Sequence, residues 1–526
     1  VAGVTHSVTL DGLAGRSVEV EADISGGLPR TVIVGLADVM VNEARDRCRS
    51  AITNSSRAWP DQRVTINLAP STLPKSGSHY DLAIALAVLA AQDTVPASAL
   101  RGAVFLGELA LDGRLRAIRG VLPATLAAAE AGFDRIFVPE VNVAEAELVG
   151  SISVVGVRSL GQTVALLTGT EEPDDPPVPP LEEVGGAAWT AADRLADLDL
   201  LDVAGQEDAR LAVVVAAAGG HHLLMTGPPG IGKTMLAQRL PGLLPDLTHE
   251  QSLEVSAVHS IAGVLPSDAP LLVRPPFLDP HHTASAVSIV GGGSRVIRPG
   301  ALSLAHRGVL FMDEAPEFAS NVIEALRQPL ESGRIVVSRA AQTAAYPARF
   351  QLVLAANPCP CGLDGAAGEQ CRCSPLMRRR YVDRLSGPIR DRIDIHRTLT
   401  APARPELAAA LGTGRGSDEL RAAVGAARSR QAARLAESPW TVNADVPGAD
   451  LRRRWPVAPG GRDLIDAQLR GHSLNPRSAD RVLRLAWTAA DLAGHDVPTV
   501  EDVQAGLALR RGTPLGGAVR DLVHAS

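Results

Sequence analysis

An apolar run, "LLMT" (Leu223 to Thr226), leads into Gly227, Pro228, Pro229, Gly230, Ile231, Gly232, Lys233 and Thr234, and a helical pattern follows. Glycines in such a loop let backbone N–H groups turn inward on phosphate oxygens. Lys233 is then expected to reach the β- and γ-phosphates of ATP, and Thr234 to hold Mg²⁺. The helix start adds a favourable dipole. The full G-x-x-x-x-G-K-[ST] pattern between strand and helix is specific. About 80 residues on, "GVLFMDEA" ends a buried run in Asp313 and Glu314. Asp313 is expected to bind the magnesium through water, and Glu314 to polarise the attacking water as general base. A third run, "FQLVLAANP", ends at Asn357. Its side chain can orient the lytic water and sense the γ-phosphate; by itself it could equally start the turn before Pro358.

Four of the five cysteines follow at once, in "NPCPCGLDGAAGEQCRC". Cys359, Cys361, Cys371 and Cys373 form two Cys-X-Cys pairs around a glycine-rich, polar gap. Four thiolates match the ligand count of a structural zinc, although such sites more often place two to four residues between their cysteines. A reduced, metal-free loop stays open as the alternative. Disulfides are disfavoured in a chain read as cytoplasmic.

These residues need elements to hold them, and 526 residues suffice for about three domains. Hydrophobic content of 46% supports sizeable cores. "LAIALAVLAA" (Leu82 to Ala91) is among the longest apolar runs and falls short of a membrane span. The N-terminus lacks the layout of a signal peptide. The net charge of −7 comes mostly from "GTEEPDDPPVPPLEEVGG", which holds six acids and no base. Any anion-binding surface must therefore be local. Aromatics at 3% argue against a base-stacking platform for single strands, though not against phosphate contacts. The acidic, proline-rich segment, residues 169–195, reads as an extended linker. Residues 1–168 alternate short β-branched runs with alanine-rich helices, an α/β domain. Residues 196–400 form a second α/β domain, and residues 401–526 read as helical.

"GPPGIGKT", "GVLFMDE", "LVLAANPCPCG" and "LSGPIRDRIDIH" together resemble the magnesium-chelatase-like AAA+ ATPases, and within them the ComM/YifB family, over nearly the whole chain. The resemblance implies hexameric rings with ATP at subunit interfaces. Arg392 matches the arginine finger that reaches the neighbour's nucleotide, with Arg390 as a competitor, and Arg477 matches the sensor arginine of the helical lid. The family also has the cysteine pattern. Family members carry an inserted hairpin, aimed at the pore, where this chain has "DPHHTASAVSIVGGGSRVIRPG" (Asp279 to Gly300). "ESGRIVVSRA" looks like a second hairpin. Arg295, Arg298, Arg334 and Arg339 are the cations expected near a nucleic-acid strand. His281 and His282 are adjacent and point different ways, so structural or hydrogen-bonding roles fit them better than metal ligation. The chain departs from the family at Leu278-Asp279, where a basic residue is usual.

The N-terminal region resembles a Lon-protease-like domain. Its serine position falls on His79 and its lysine position on Leu122, with Lys75, Ser76 and Ser78 nearby. A nucleophile needs its base within hydrogen-bond reach, so a degenerate protease fold is expected. The family role implied is an ATP-driven motor on single-stranded or branched DNA, a helicase for branch migration in natural transformation. A chelatase-type remodeller of a protein partner is the alternative. The cofactors implied are ATP and Mg²⁺, with zinc as the open case, and no membrane partner is expected.

Overall fold

The computed structural model describes residues 2–35, 38–181, 195, 198–293, 297–338, 343–364, 371–400 and 414–516. The N-terminal part builds a seven-stranded sheet. Its order is Arg30–Val34, Arg63–Ala69, Ala14–Ser25, Gly3–Asp11, Ala103–Phe105, Arg135–Pro139 and Ser153–Val157. Gly3–Asp11 and Ala14–Ser25 pair antiparallel from Gly3↔Ala22 to Asp11↔Ala14. Val18, Val20 and Ala22 point to the core while Glu19 and Glu21 face away, the period of a strand. Across the sheet lies helix Asp81–Ala91, buried from Asp81 to Ala90. A helix apolar on every side has to be a core helix or a membrane span. Among the described residues no helix is long and apolar enough to cross a membrane.

The second sheet is wholly parallel, in the order Phe277–Leu278, Val309–Met312, Gln351–Ala356, Leu223–Thr226, Ile395–Thr398. "VLFM" and "QLVLAA" are buried at every position. Strands covered on both faces require such continuous apolar runs. The chain's first strand here, Leu223–Thr226, lies between the fourth and the fifth. Ligands of open parallel sheets bind beyond the C-terminal strand ends near such reversals.

Helices Ser417–Leu435, Gly448–Arg454, Pro459–Arg470, Pro476–Ala493 and Val500–Arg511 make up the C-terminal part. Leu420, Val424, Leu485, Ala489 and Leu509 share one core with Leu223 and Met225 of the sheet. A separate cluster forms around Val446, Leu451, Ile465 and Trp487. The helical part thus shares a core with the second sheet's domain along one flank and has its own cluster on the other.

Several contacts dock the N-terminal part onto the second sheet's domain. Helix Val121–Glu130 packs on helix His249–Ala262. At their junction Glu145 is buried, accepting from the Leu122 N–H at 2.8 Å and from the Ser260 hydroxyl. Burial pushes the Glu145 pKa up against these hydrogen bonds. The turn at Gly12 meets the hairpin of Arg334–Ser338 and Thr343–Pro347, and a side chain there would press to 2.4 Å from the Ala345 carbonyl oxygen.

The start of the acidic segment is less free than its composition suggests. The Asp175 carbonyl accepts from Arg158 at 3.0 Å, and Val178 is buried in the N-terminal core. Residues 182–194 lie outside the described residues. Where a pore-facing hairpin is expected, helix Ala286–Val290 leads into a short pairing of Gly291–Gly292 with Arg298–Pro299. Arg298 and Arg334 are exposed; Arg295 and Arg339 lie outside the described residues.

Candidate active site

Three strand ends converge at one edge of the parallel sheet. Thr226 pairs with Ala356 and Met312 with Leu354, so the loop from Gly227, the Asp313-Glu314 pair and Asn357 leave the sheet side by side. The loop crest at Pro229 and Gly230 is exposed, and helix Lys233–Leu243 starts directly behind it. Lys233 is 6% exposed. Its Nζ donates to the carbonyls of Gly227 (2.6 Å) and Pro228 (2.8 Å) and to Asn357 Oδ1 (3.0 Å). Burial lowers its pKa, and Asp313 and Glu314 oppose that shift. Thr234 Oγ1 donates to Asp313 Oδ2 at 2.7 Å, and Asp313 Oδ1 accepts the Glu314 N–H at 2.9 Å. A hydroxyl and a carboxylate in contact are the hard oxygen donors that Mg²⁺ favours.

Glu314 has φ +50° and ψ +43°, the left-handed region. That conformation costs a non-glycine residue about 1–2 kcal/mol, and strain of this kind collects at functional sites. Its Oε2 lies 3.2 Å from His282 Nδ1. Below Asn357, Tyr381 is buried, and burial followed by the charge of Glu317 raises its pKa to about 12.

The four thiols gather beside this loop. Their sulfur atoms all lie within 4.8 Å of one another, with Cys359 at 3.3 Å from Cys361 and both 3.6 Å from Cys371. Zinc–sulfur bonds of about 2.3 Å in a tetrahedron place sulfurs roughly 3.8 Å apart, so the cage fits one such ion. The backbone at Leu363, then Cys359, draws the Cys361 thiol down to about 6. Gly362 sits against the phosphate loop: a side chain there would come within 2.7 Å of Pro229 Cδ. Arg378 closes the knot from behind, donating to the Cys373 carbonyl at 3.1 Å and to Asp364 at 2.7 Å.

Arg392 and Arg477 are not brought to this site. Ile395 pairs with Leu223 at the start of both parallel strands, so Arg392 sits beyond the opposite edge of the sheet. The strand between spans roughly 13 Å at a rise near 3.3 Å per residue. There Arg392 meets Glu331 and the Pro388 carbonyl at 2.8 Å. Arg477, 83% exposed, is 3.5 Å from Asp391. Burial, then Arg481, Arg327 and Arg477, lowers the Arg392 pKa, the mark of crowded like charges. Arg390 lies half-buried on the same short helix, Gly387–Arg392. A cleft of about 640 Å³ opens beside them, lined by Arg307, Arg349, Arg392, Arg428, Arg481 and Arg484 among others.

Sequence reasoning missed the group that ties this edge to the phosphate-loop strand. His221 bonds Asp394 through Nδ1 (3.2 Å) and Thr488 through Nε2 (2.8 Å), and Arg481 donates to Asp394 at 2.7 Å. Burial would raise the Asp394 pKa, but His221 and Arg481 together hold it well below the usual carboxylate range. Only the neighbouring of two distant strands reveals this set.

In the N-terminal part Ser78 bonds Glu108, Lys75 Nζ bonds the Pro70 carbonyl, and His79 Nε2 is 2.8 Å from the Val8 carbonyl. Leu122 is buried, and Ser76 is half-buried.

Comparison with known proteins matches residues 199–407 to the family described as magnesium chelatase, subunit ChlI. Residues 20–142 match subunit ChlI of Mg-chelatase, and residues 414–510 the C-terminal part of that subunit. An uncharacterised protein of Mycobacterium tuberculosis is 48% identical over 513 residues, 97% of this chain and 98% of its own. The Escherichia coli protein YifB is 39% identical over 96% of both chains. The Haemophilus influenzae competence protein ComM is 39% identical over 93% of this chain and 94% of its own.

Proposed function

The chain belongs to the magnesium-chelatase-like ComM/YifB family, and on that premise we propose that it is a cytoplasmic, ring-forming ATPase that moves DNA strands. The observation that carries the ring is the separation of Lys233, Asp313 and Glu314 from Arg392 and Arg477 by the length of the sheet's strands. A site built this way is complete only when a neighbour supplies its arginine edge. Six members, the number implied by the family resemblance, would close such a head-to-tail contact into a ring.

In the catalytic cycle Lys233 leaves the Gly227 and Pro228 carbonyls to meet the phosphates. Thr234 and Asp313 would hold Mg²⁺, which when bound offsets the charge of the phosphate oxygens. Glu314 orients and deprotonates the attacking water, and Asn357 reports the γ-phosphate through its bond to Lys233. The neighbour's Arg392 stabilises charge on the transferring group, with Arg477 beside it. The four cysteines would hold a structural zinc, which would brace the loop through Gly362. The N-terminal domain is a Lon-like fold without protease chemistry, since Lys75 and Ser78 are engaged separately and Leu122 is apolar.

DNA as the substrate is supported by the exposed cations at Arg298 and Arg334, and by the name of the Haemophilus relative. Arg295 and Arg339 belong to the same reading. Backbone contacts by arginine predict little base specificity and steep salt dependence. The test is the ATPase rate with and without single-stranded, forked and three-stranded DNA at two salt concentrations. Salt-sensitive stimulation, strongest on branched DNA, is the expected result. Basal hydrolysis unchanged by any DNA would favour the second reading, a remodeller of a protein partner in metal insertion, which the chelatase-subunit models support. Glu314→Gln is expected to bind ATP and to lose hydrolysis by ~10²-fold or more.

A further inference from the structure

The cleft of about 640 Å³ lies at the strand ends away from the phosphate loop, and Arg392 is only one of its walls. Arg307 and Arg349 enter it from just before strands Val309–Met312 and Gln351–Ala356. Arg428 of helix Ser417–Leu435 and Arg484 of helix Pro476–Ala493 close it from the helical part. Arg307 is paired with Glu254 at 3.1 Å. The other three are not ion-paired among the described residues. Arg428 Nη2 donates to the Ala217 carbonyl at 2.6 Å and Arg484 Nε to the Val446 carbonyl at 2.7 Å, while the exposed Arg349 guanidinium has no partner there. Burial raises the Asp445 pKa, and Arg349, Arg484, Arg428 and Arg307 oppose that shift, so one carboxylate faces four guanidiniums. Burial also lowers the pKa of Arg428, to about 10, and that of Arg484. Cations stripped of water without a matching anion are costly. His222 adds a neutral donor to the same lining: its Nδ1 accepts the Leu352 N–H at 3.0 Å, so its proton sits on Nε2. Trp440 supplies an aromatic wall.

We propose that this cleft is a second nucleotide site, in which Arg349, Arg428 and Arg484 hold the phosphates of a nucleoside diphosphate and Trp440 packs against its base. A guanidinium presents paired donors that match phosphate oxygens. The volume falls within the range of small-ligand sites, roughly 300–1,000 Å³. The walls come from both the sheet's domain and the helical part, so an occupant ties the two together. Neither Arg392 nor Glu314 is needed for this binding, and it stands or falls apart from the reading of the chain as a motor.

The experiment is equilibrium dialysis of labelled ADP against full-length wild type, Lys233→Ala, Lys233→Ala with Arg349→Gln, and Lys233→Ala with Trp440→Ala. Wild type is expected to take up a second equivalent of ADP per chain, and Lys233→Ala to retain it. Arg349→Gln should weaken that retained binding about tenfold. Exposed and without a side-chain partner, Arg349 can be replaced without disturbing the fold. Trp440→Ala should weaken ADP about tenfold and leave pyrophosphate binding unchanged, a split that a merely structural loss would not give. Retained ADP that is indifferent to Arg349→Gln belongs to the phosphate loop and overturns the proposal. Wild type saturating at a single ADP per chain, with Lys233→Ala empty, overturns it too. Retained ADP that depends on Arg349 and not on Trp440 supports the phosphate cradle and overturns the base contact. Displacement of ADP by 5′-phosphorylated oligo(dT), and not by the unphosphorylated strand, supports the cradle and overturns a free nucleotide as its occupant.

Discussion

Lys233 has three donors and three protein acceptors, the carbonyls of Gly227 and Pro228 and the amide oxygen of Asn357. The ammonium is parked on its own loop, and Asn357 is the one side chain in that set. Asn357→Ala should leave ATP affinity within a few-fold and lower kcat by ~10²-fold, the scale for one lost polar partner of a transition state. Steady-state kinetics separate the two effects; an equal change in KM and kcat/KM would assign Asn357 to ground-state binding. At this scale the sequence was most legible where chemistry is local. Gly227 to Thr234 and Asp313-Glu314 are contiguous stretches that the sequence singles out as a pair, and the fold sets them side by side at neighbouring strand ends. His221, Asp394, Arg481 and Thr488 are ordinary polar residues in the sequence, and only the pairing of Ile395 with Leu223 makes them one network.

Among the elements, the cysteine loop lies directly against the loop from Gly227 to Thr234. Gly362 leaves no room for a side chain against Pro229, so the loop's shape sets that of the phosphate cradle. The purified protein should carry about one zinc per chain. Cys371→Ser should release it and raise the KM for ATP about tenfold, since sub-ångström shifts in a cradle are costly. Metal analysis and ATP titration of the folded variant check both; full zinc content in Cys371→Ser would remove that thiol from the cage. The core strands were readable because burial on both faces demands unbroken apolar runs, as in "VLFM" and "QLVLAA". The docking of helix Ser417–Leu435 onto Lys233–Leu243 was not readable. Helical spacing marks an apolar face and says nothing of what covers it. The held start of the acidic segment was equally hidden, because Asp175 finds Arg158 only in the fold.

For the molecule as a whole, the separation of the two arginines from the phosphate loop yields a mixing prediction. Lys233→Ala and Arg392→Ala proteins should each be inactive, the second by ~10³-fold. Mixed together they should regain turnover, because some interfaces then pair an intact loop with an intact arginine. No recovery on mixing, with mixed rings verified by size, would place Arg392 outside the shared site. The turn at Gly12 lies against Ala345 of the hairpin. Hairpin and seven-stranded sheet meet there backbone to backbone, with no side chain between them to act as a cushion. A displacement of the hairpin would therefore be passed directly to the N-terminal sheet.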